Sequence, residues 1–310
     1  EDDVARALDA AQAVAIPHNR EIIHVIQRGF IVDGQDGIRT PVGMHGYRLE
    51  VEAHIITASQ TTVENLRQCV QAAGVEVTQF VLNPLASGEV VLSETERQMG
   101  AIVCDIGGGT TDLAIYIDGD VWHTMVIALG GNHLTSDIAH GLRLSLEQAE
   151  EVKKAYGHAL EDEIGPDETF TIRGFGDEGP KQVSRRELAM ILEARAEEIF
   201  QLVLQEIKRS GYDGLLPAGM VLTGGSSLLS AIRPLASQVL GLPVRLARPE
   251  NLMGLTDQLH SPSYSTSVGL LHWALMMSEL DPVSPRSRRR VKGGNVDWDQ
   301  IKGFLRRLLP

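Results

Sequence analysis

The chain has 310 residues, 43% of them apolar and 22% charged, so at roughly 150 residues per domain it can build two packed bodies, and no run of about eighteen apolar residues is present to cross a membrane. Its net charge of −13 argues against broad nucleic-acid binding, yet residues 281–310 carry eight Lys/Arg against three Asp, a net of +5 that leaves −18 on residues 1–280. Two cysteines, Cys69 and Cys104, cannot make a disulfide framework; both lie in apolar-patterned segments and are expected to be buried thiols of a reducing compartment.

No targeting signal follows Glu1, and the acidic opening with Val4, Leu8 and Ala11 at helical spacing predicts a helix near residues 1–15, as if the true beginning lay further upstream. Strands are expected over 21–32 and 47–58, with Asp33-Gly34 and Asp36-Gly37 as turns between them. A helix over 62–73 follows, with Val63, Leu66 and Val70 on one face and Gly74 as its C-cap. The pattern then predicts a strand over 75–82, a helix over 84–92, strands over 100–106, 111–117 and 121–128, and further helices. Residues 159–185 read as irregular, 186–209 as a long helix, 219–223 as a buried strand, and 227–240 and 264–277 as helices. Residues 280–297, rich in Pro, Gly and Arg, read as a linker.

The strongest chemical signal is Cys104-Asp105-Ile106-Gly107-Gly108-Gly109-Thr110-Thr111-Asp112, a glycine loop between two strands. A dinucleotide-binding loop must open a helix, so that reading is excluded. Gly107, Gly108 and Gly109 allow backbone amides to approach a phosphate, Thr110 and Thr111 add hydroxyls, and Asp105 at the strand end is placed to hold Mg2+ through water. A second loop, Thr223-Gly224-Gly225-Ser226-Ser227, ends a strand where paired glycines suit an adenosine; alone it is equally an ordinary strand-to-helix loop. Together the two suggest an actin-like ATP site. Glu150 with Lys153 and Lys154 resembles the Glu/Lys pair that holds ribose and adenine in the actin-like ATPase superfamily; a solvated ion pair on a helix is its other reading. The ten histidines show no metal-ligand spacing, so no metal is expected beyond the Mg2+ that accompanies ATP.

Residues 298–310 form an amphipathic helix on a wheel: Trp298, Ile301, Phe304, Leu305, Leu308 and Leu309 define one apolar face, its arc about 140° wide. Lys302, Arg306 and Arg307 lie on the other side. The segment is too short to span a bilayer and suits a helix lying in an anionic membrane interface, aided by Arg286, Arg288, Arg289, Arg290 and Lys292; docking on its own domain is the alternative.

Five segments together resemble the bacterial cell-division family FtsA of the actin-like ATPase superfamily. They are Asp33-Gly34-Gln35-Asp36-Gly37-Ile38, Pro41-Val42-Gly43-Met44-His45-Gly46, the glycine hairpin, Gly130-Gly131-Asn132-His133-Leu134-Thr135-Ser136-Asp137-Ile138, and Gly254-Leu255-Thr256-Asp257 with Tyr264-Ser265-Thr266. The resemblance implies an α/β, actin-like (ribonuclease-H-like), two-lobed fold with an inserted α+β (SHS2-type) subdomain at 1–78 and a C-terminal amphipathic helix. The remaining divisions are 79–128 for part of the first lobe, 129–158 for adenosine-side helices of the second, 159–218 for its small subdomain, 219–279 for the rest of it, then the linker and the tail. It also implies a peripheral protein on the cytoplasmic side of the cell membrane at the septum, which binds ATP and Mg2+, self-assembles, contacts other division proteins and tethers the Z ring by the C-terminal tail of FtsZ, with no nucleic-acid partner. Lys181, Arg185, Arg186 and Arg195 are the cations that 159–218 offers to that acidic tail; a solvated helix face is their other reading.

Two departures from the family pattern set further expectations. No Asp-x-Gly-Thr-like first phosphate loop precedes residue 100, so the ATP site is expected to be incomplete and its affinity weak. Asn83 stands where the superfamily orients an attacking water; an amide cannot act as a base, and a polar residue opening a helix explains it as well, so at most a weak ATPase is expected, with Asp105 and Asn83 the only catalytic candidates. The rivals are a sugar-kinase-type phosphotransferase of the same superfamily and an actin homologue of pilus assembly or cell shape.

Overall fold

The computed structural model describes residues 2–173, 179–250, 252 and 259–280, the last three for their backbone only. Residues Glu1–Trp273 form one compact unit; the second, Ala274–Pro310, is described only where it continues the last helix. Helix α1 (Asp2–Gln12) packs on a three-stranded antiparallel sheet in which β1 (Arg20–Val32) lies between β2 (Gln35–Ile38) and β3 (Leu49–Ser59). Asp33 and Gly34, both at positive φ, make the β1–β2 turn, and the Asp33 carboxylate accepts the amides of Tyr47 and Arg48 (2.9 and 2.8 Å), closing the loop that enters β3. The second expected turn, at Asp36-Gly37, lies inside β2.

Helix α2 (Gln60–Ala72) follows, and its expected apolar stripe holds only in part: Val63 is buried, but Leu66 is 54% exposed and Cys69 is exposed too. The expectation of two buried thiols is therefore corrected, because α2 meets the sheet along little more than one turn. The strand expected over 75–82 is also absent. That segment is extended but is held by side chains instead of a ladder: Arg67 lies over the Phe80 ring, Trp273 Nε1 donates to Gln79 (3.3 Å), and the Leu82 amide donates to His24 (3.2 Å).

Helix α3 (Asn83–Val91) and the unforeseen short helix α4 (Glu94–Met99), which a Ser93–Glu96 capping box starts, lead into the central sheet. Strands β4 (Ala101–Ile106), β5 (Thr111–Ile117) and β6 (Asp120–Ile127) form an antiparallel meander. Helices α5 (Gly131–Leu142) and α6 (Leu146–Tyr156) come next, then a hairpin of β7 (Thr169–Ile172) and β8 (Lys181–Ser184) where irregular chain was expected. Phe170 of β7 stacks on Tyr156 with ring centroids 4.6 Å apart, which anchors this hairpin.

Helix α7 (Arg185–Ser210) crosses the body and buries Leu188, Leu192, Ile199, Phe200 and Val203. Strand β9 (Met220–Thr223) then pairs parallel with β4, and β10 (Val244–Leu246), missed in the sequence because it is only three residues long, pairs parallel with β9. The five-stranded order is β10-β9-β4-β5-β6. This sheet crosses the division expected at residue 128, because β4 and β9 are hydrogen-bonded neighbours. The helix expected over 227–240 is split: a 3-10 turn covers Gly225–Leu228, and Ala231 in the left-handed region separates it from α8 (Ile232–Leu240). Helix α9 (Ser265–Leu280) ends the described chain.

Candidate functional site

Every residue of β4 and β5 is buried, which fits their nearly continuous apolar runs in a sheet covered on both faces. The turn between them, Gly107 to Thr110, closes with the Gly107 amide donating to the Thr110 carbonyl at 2.9 Å. The register sets Asp105 directly opposite Asp112, so two carboxylates share one face at the sheet's end. Burial pushes the Asp105 carboxyl upward and the charge of Asp112 adds to it, against hydrogen bonds from Thr266 (2.8 Å) and Ser87. Burial likewise raises Asp112, against the Thr110 hydroxyl (2.7 Å) and the Asn83 amide. Two like charges held together out of water are relieved by a cation or a proton, and this donor set suits a hard cation such as Mg2+.

The hairpin's carbonyls point at the start of α5: the Gly131 amide donates to Gly107 O (2.9 Å) and the Asn132 amide to Gly108 O (2.7 Å). The helix N-terminus thus polarises the turn's peptide groups, whose amides at Gly108, Gly109 and Thr110 have no acceptor among the described residues. Three successive free amides are an anion site in waiting. Two glycines make this packing possible. A Cβ on Gly130 would lie 2.8 Å from the carbonyls of both Gly107 and Gly108, and one on Gly224, at φ +87°, would lie 2.4 Å from Asp105 Oδ1.

Beside the hairpin opens a cavity of about 440 Å³. Its walls bring together Gly108 of the first loop, Glu150, Lys153 and Lys154 of α6, and Gly225 and Ser226 of the second loop, six of the residues singled out from sequence. Burial alone would raise the Glu150 carboxyl, but hydrogen bonds from Lys153 and Thr135 outweigh it and hold it below the ordinary value. A ribose or base has apolar surface to meet in Leu134, Leu228 and Leu229.

The other singled-out residues are placed around or away from this cavity. Asp105 is 6% exposed at the end of β4 and is not among the residues lining the cavity, and Gly107, Gly109 and Thr110 complete the turn. Thr111 is fully buried, its hydroxyl donating to Leu129 O, so it braces the hairpin. Gly224 lies under the hairpin and Asn83 opens α3, with its side chain on Asp112. Arg185 pairs with Glu168 (2.7 Å), Arg186 with Glu161 (2.7 Å) and Arg195 with Asp137 (2.6 Å), while Lys181 is exposed on β8. Trp298, Ile301, Lys302, Phe304, Leu305, Arg306, Arg307, Leu308 and Leu309 lie outside the described residues, as do the linker and most of the Gly254 segment.

Sequence reasoning passed over Asn132, whose side chain backs Gly108, Ser263 in the cavity wall, and Thr266, which reaches Asp105 from the far end of the chain. Asp112 as a second carboxylate had a signal, because a four-residue turn puts residues 105 and 112 opposite each other. Among the described residues no helix is long and apolar enough to cross a membrane.

Residues 102–269 match the family model described as cell division protein FtsA, and residues 1–57 that of the SHS2 domain inserted in FtsA. The FtsA of Pseudomonas aeruginosa is 44% identical over 97% of this chain and 71% of its own length. That of Bacillus subtilis is 45% identical over 88% of this chain, and the match spans 61% of the relative. Among solved structures, Spiroplasma citri MreB5 bound to ADP superposes with a TM-score of 0.60 at 21% identity, covering 73% of this chain and 69% of that one. The PilM–PilN pilus biogenesis complex gives 0.62 at 18%, covering 88% and 72%. The mixed five-stranded sheet is therefore the core of an actin-like fold carrying an SHS2 insert.

Proposed function

The chain belongs to the FtsA family of cell-division proteins, and on that premise we propose that it is a peripheral adaptor that binds ATP, self-assembles and tethers FtsZ filaments to the inner face of the cell membrane. The observation that carries the nucleotide part is the single cavity joining the glycine hairpin, the Glu150/Lys153/Lys154 cluster and the Gly225-Ser226 loop. ATP, when bound there with Mg2+, supplies a compact anion whose charge the hairpin recognises and whose cation offsets Asp105 and Asp112. The amides of Gly108, Gly109 and Thr110 are the phosphate donors, and the carbonyls conjugated with the first two, Gly107 O and Gly108 O, are held by the amides of Gly131 and Asn132 at the start of α5. Glu150, Lys153 and Lys154 are the residues offered to the ribose and base, with Leu134, Leu228 and Leu229 as the apolar wall beside them.

Asn83 spends its side-chain amide on Asp112 and offers no base, so hydrolysis is slow and nucleotide acts by regulating assembly. MreB5 bound to ADP and to AMPPNP, and the MamK double helical filament, a match at a TM-score of 0.50, support an actin-like body that uses nucleotide and polymerises. The anchor is the amphipathic segment 298–310 with its basic linker, and the FtsZ tail, an acidic peptide in this reading, meets Lys181 and the arginines near it. Those arginines already hold carboxylates, so the peptide would exchange with Glu168, Glu161 and Asp137 as partners.

Flotation with anionic liposomes tests the adaptor, comparing the whole chain with one ending at residue 279, each with a fluorescent FtsZ tail peptide. The whole chain should float and carry the peptide, and the shortened one should do neither. If the whole chain stays in solution, the adaptor reading fails.

A further inference from the structure

The paired carboxylates Asp105 and Asp112 are held by different means. Asp112 takes a hydroxyl from Thr110, two residues away in the same hairpin, at 2.7 Å. Asp105 takes one from Thr266 of α9, 161 residues away, whose Oγ1 donates to Oδ2 at 2.8 Å. The other oxygen, Oδ1, lies where a side chain on Gly224 would stand, so that a Cβ there would collide with it. The residue before Thr266 is tied to the same rung of the sheet. Asp105 of β4 and Thr223 of β9 are partners in the parallel ladder. Thr223 gives its one hydroxyl proton to Ala247 O (3.1 Å), so it is the fully buried Ser265 that donates to Thr223 Oγ1 at 2.7 Å. Two consecutive hydroxyls of α9 therefore engage two adjacent strands at one level. The helix is seated closely behind them: a Cβ on Gly269 would overlap Ala86 O, so α9 rests backbone against backbone on α3.

Two like charges on facing strands repel, so each carboxylate needs a donor to keep its orientation. Thr110 cannot serve Asp105, because its hydroxyl is spent on Asp112. Ser87 of α3 also faces Asp105, but its one proton is shared with Asn83 O, at 3.1 Å. The Thr266 hydroxyl has no second acceptor among the described residues, and Thr266 does not line the cavity, so whatever it does for a ligand it does through Asp105. We propose that Thr266 is a positioning residue for the cation that accompanies the phosphates: its hydrogen bond fixes the Asp105 carboxylate in one orientation, and the first turn of α9 thereby sets how well the Asp105–Asp112 pair takes Mg2+. The inference rests on the nucleotide reading of the site and adds to it a control on the metal from the last helix of the described chain.

The gain in ATP affinity that Mg2+ confers isolates this role, because damage to the fold lowers binding with and without the metal alike. ATP dissociation constants are to be measured by calorimetry on the full chain, in excess Mg2+ and in EDTA, for wild type, Thr266→Val, Thr266→Ser and Val268→Ala. A hydrogen-bonding partner of a metal-binding carboxylate is worth about tenfold or more in metal affinity. Thr266→Val, nearly the same shape without the hydroxyl, should therefore cut the Mg2+ gain about tenfold, while the value in EDTA stays within about twofold. Thr266→Ser keeps the hydroxyl and should keep the gain. Val268→Ala, buried in the same helix, should lower the melting temperature and leave the gain unchanged. Should Thr266→Val not fold, Thr266→Ala takes its place. An undiminished gain in Thr266→Val, or a loss that Thr266→Ser shares or Val268→Ala matches, overturns the inference and leaves the nucleotide reading standing. A wild-type chain that binds no ATP, or binds it equally with and without Mg2+, refutes that reading of the site, and the inference with it.

Discussion

The five-stranded sheet and the three-stranded sheet of the insert are built to different densities. All thirteen residues of β4 and β5 are buried, whereas β1 buries four of its thirteen, β3 one of its eleven, and α1 none. Cover is complete only over the central strands, since the edge strands β6 and β10 bury one of eight and one of three residues, and those edges are met by side chains: Arg245 of β10 pairs with Glu96 of α4 (2.5 Å), and Arg28 of the insert donates to Trp122 O on β6. The second sheet has a single thin layer of partners and leaves Val42, Met44 and Tyr47 exposed. A site that needs amides and carboxylates held to fractions of an ångström belongs on the dense sheet, where neighbours over-determine each position. The thin one is suited to presenting surface.

The strongest way to break this contrast is a cavity in each region. Phe200→Ala, in the fully buried face of α7, should cost about 3–5 kcal/mol in urea denaturation. Leu66→Ala on α2, half-exposed, should stay within about 0.5 kcal/mol. Comparable losses would mean that the insert is as tightly packed as the sheet. A smaller but more local effect is expected at the hairpin. Gly224→Ala forces a side chain into the left-handed region and against Asp105, so a loss of about 2–3 kcal/mol, with displacement of the carboxylate, should follow. Gly34→Ala also sits at positive φ but meets open space within 4 Å, and it should cost only the backbone strain of about 1 kcal/mol. Thermal melts of the two variants test whether close approach or conformation sets the difference.

The same contrast explains what could be read before the structure. The hairpin, both glycine loops and α7 were legible because their signals are local: apolar runs, glycine clusters and a long helical period. Cys69 and Leu66 misled because a helical stripe says which residues share a face, and not how much of that face finds a partner. Residues 75–82 carry a strand-like pattern, but the contacts that hold them are made by side chains, Phe80 with Arg67, Gln79 with Trp273 and the Leu82 amide with His24, and not by a ladder. The β7–β8 hairpin was hidden in a glycine-rich acidic stretch, and β10 is too short for any period to show. At the site, Thr266 could not have been foreseen, because only the fold brings α9 to a carboxylate 161 residues earlier in the chain.

The smallest expected effect concerns acid, and it separates the two regions by where they titrate. His54 on β3 faces Thr124 of β6, with its Nε2 3.0 Å from the threonine hydroxyl, and it helps to seat the insert on the sheet's edge. Burial, then the charges of Arg28 and His123, lower its pKa to about 4 from the ordinary 6.5. The unfolded chain therefore binds the proton first as pH falls, and the stability that neutral His54 contributes is complete above 6.5 and lost between 6.5 and 4. Glu96 behaves differently, because its hydrogen bond from Arg245 outweighs burial and lowers it to about 2 from 4.5, so its contribution is intact above 4.5 and lost only toward pH 2. Both groups are partly exposed, and solvent screening keeps each effect under about 1 kcal/mol. Hydrogen exchange corrected for intrinsic rates should thus show β1 and β3 losing protection between pH 7 and 5 while β4 and β5 keep theirs. His54→Leu should remove that difference. If instead both sheets open together, the insert and the core unfold as one cooperative unit, and the density contrast between them has no counterpart in local stability.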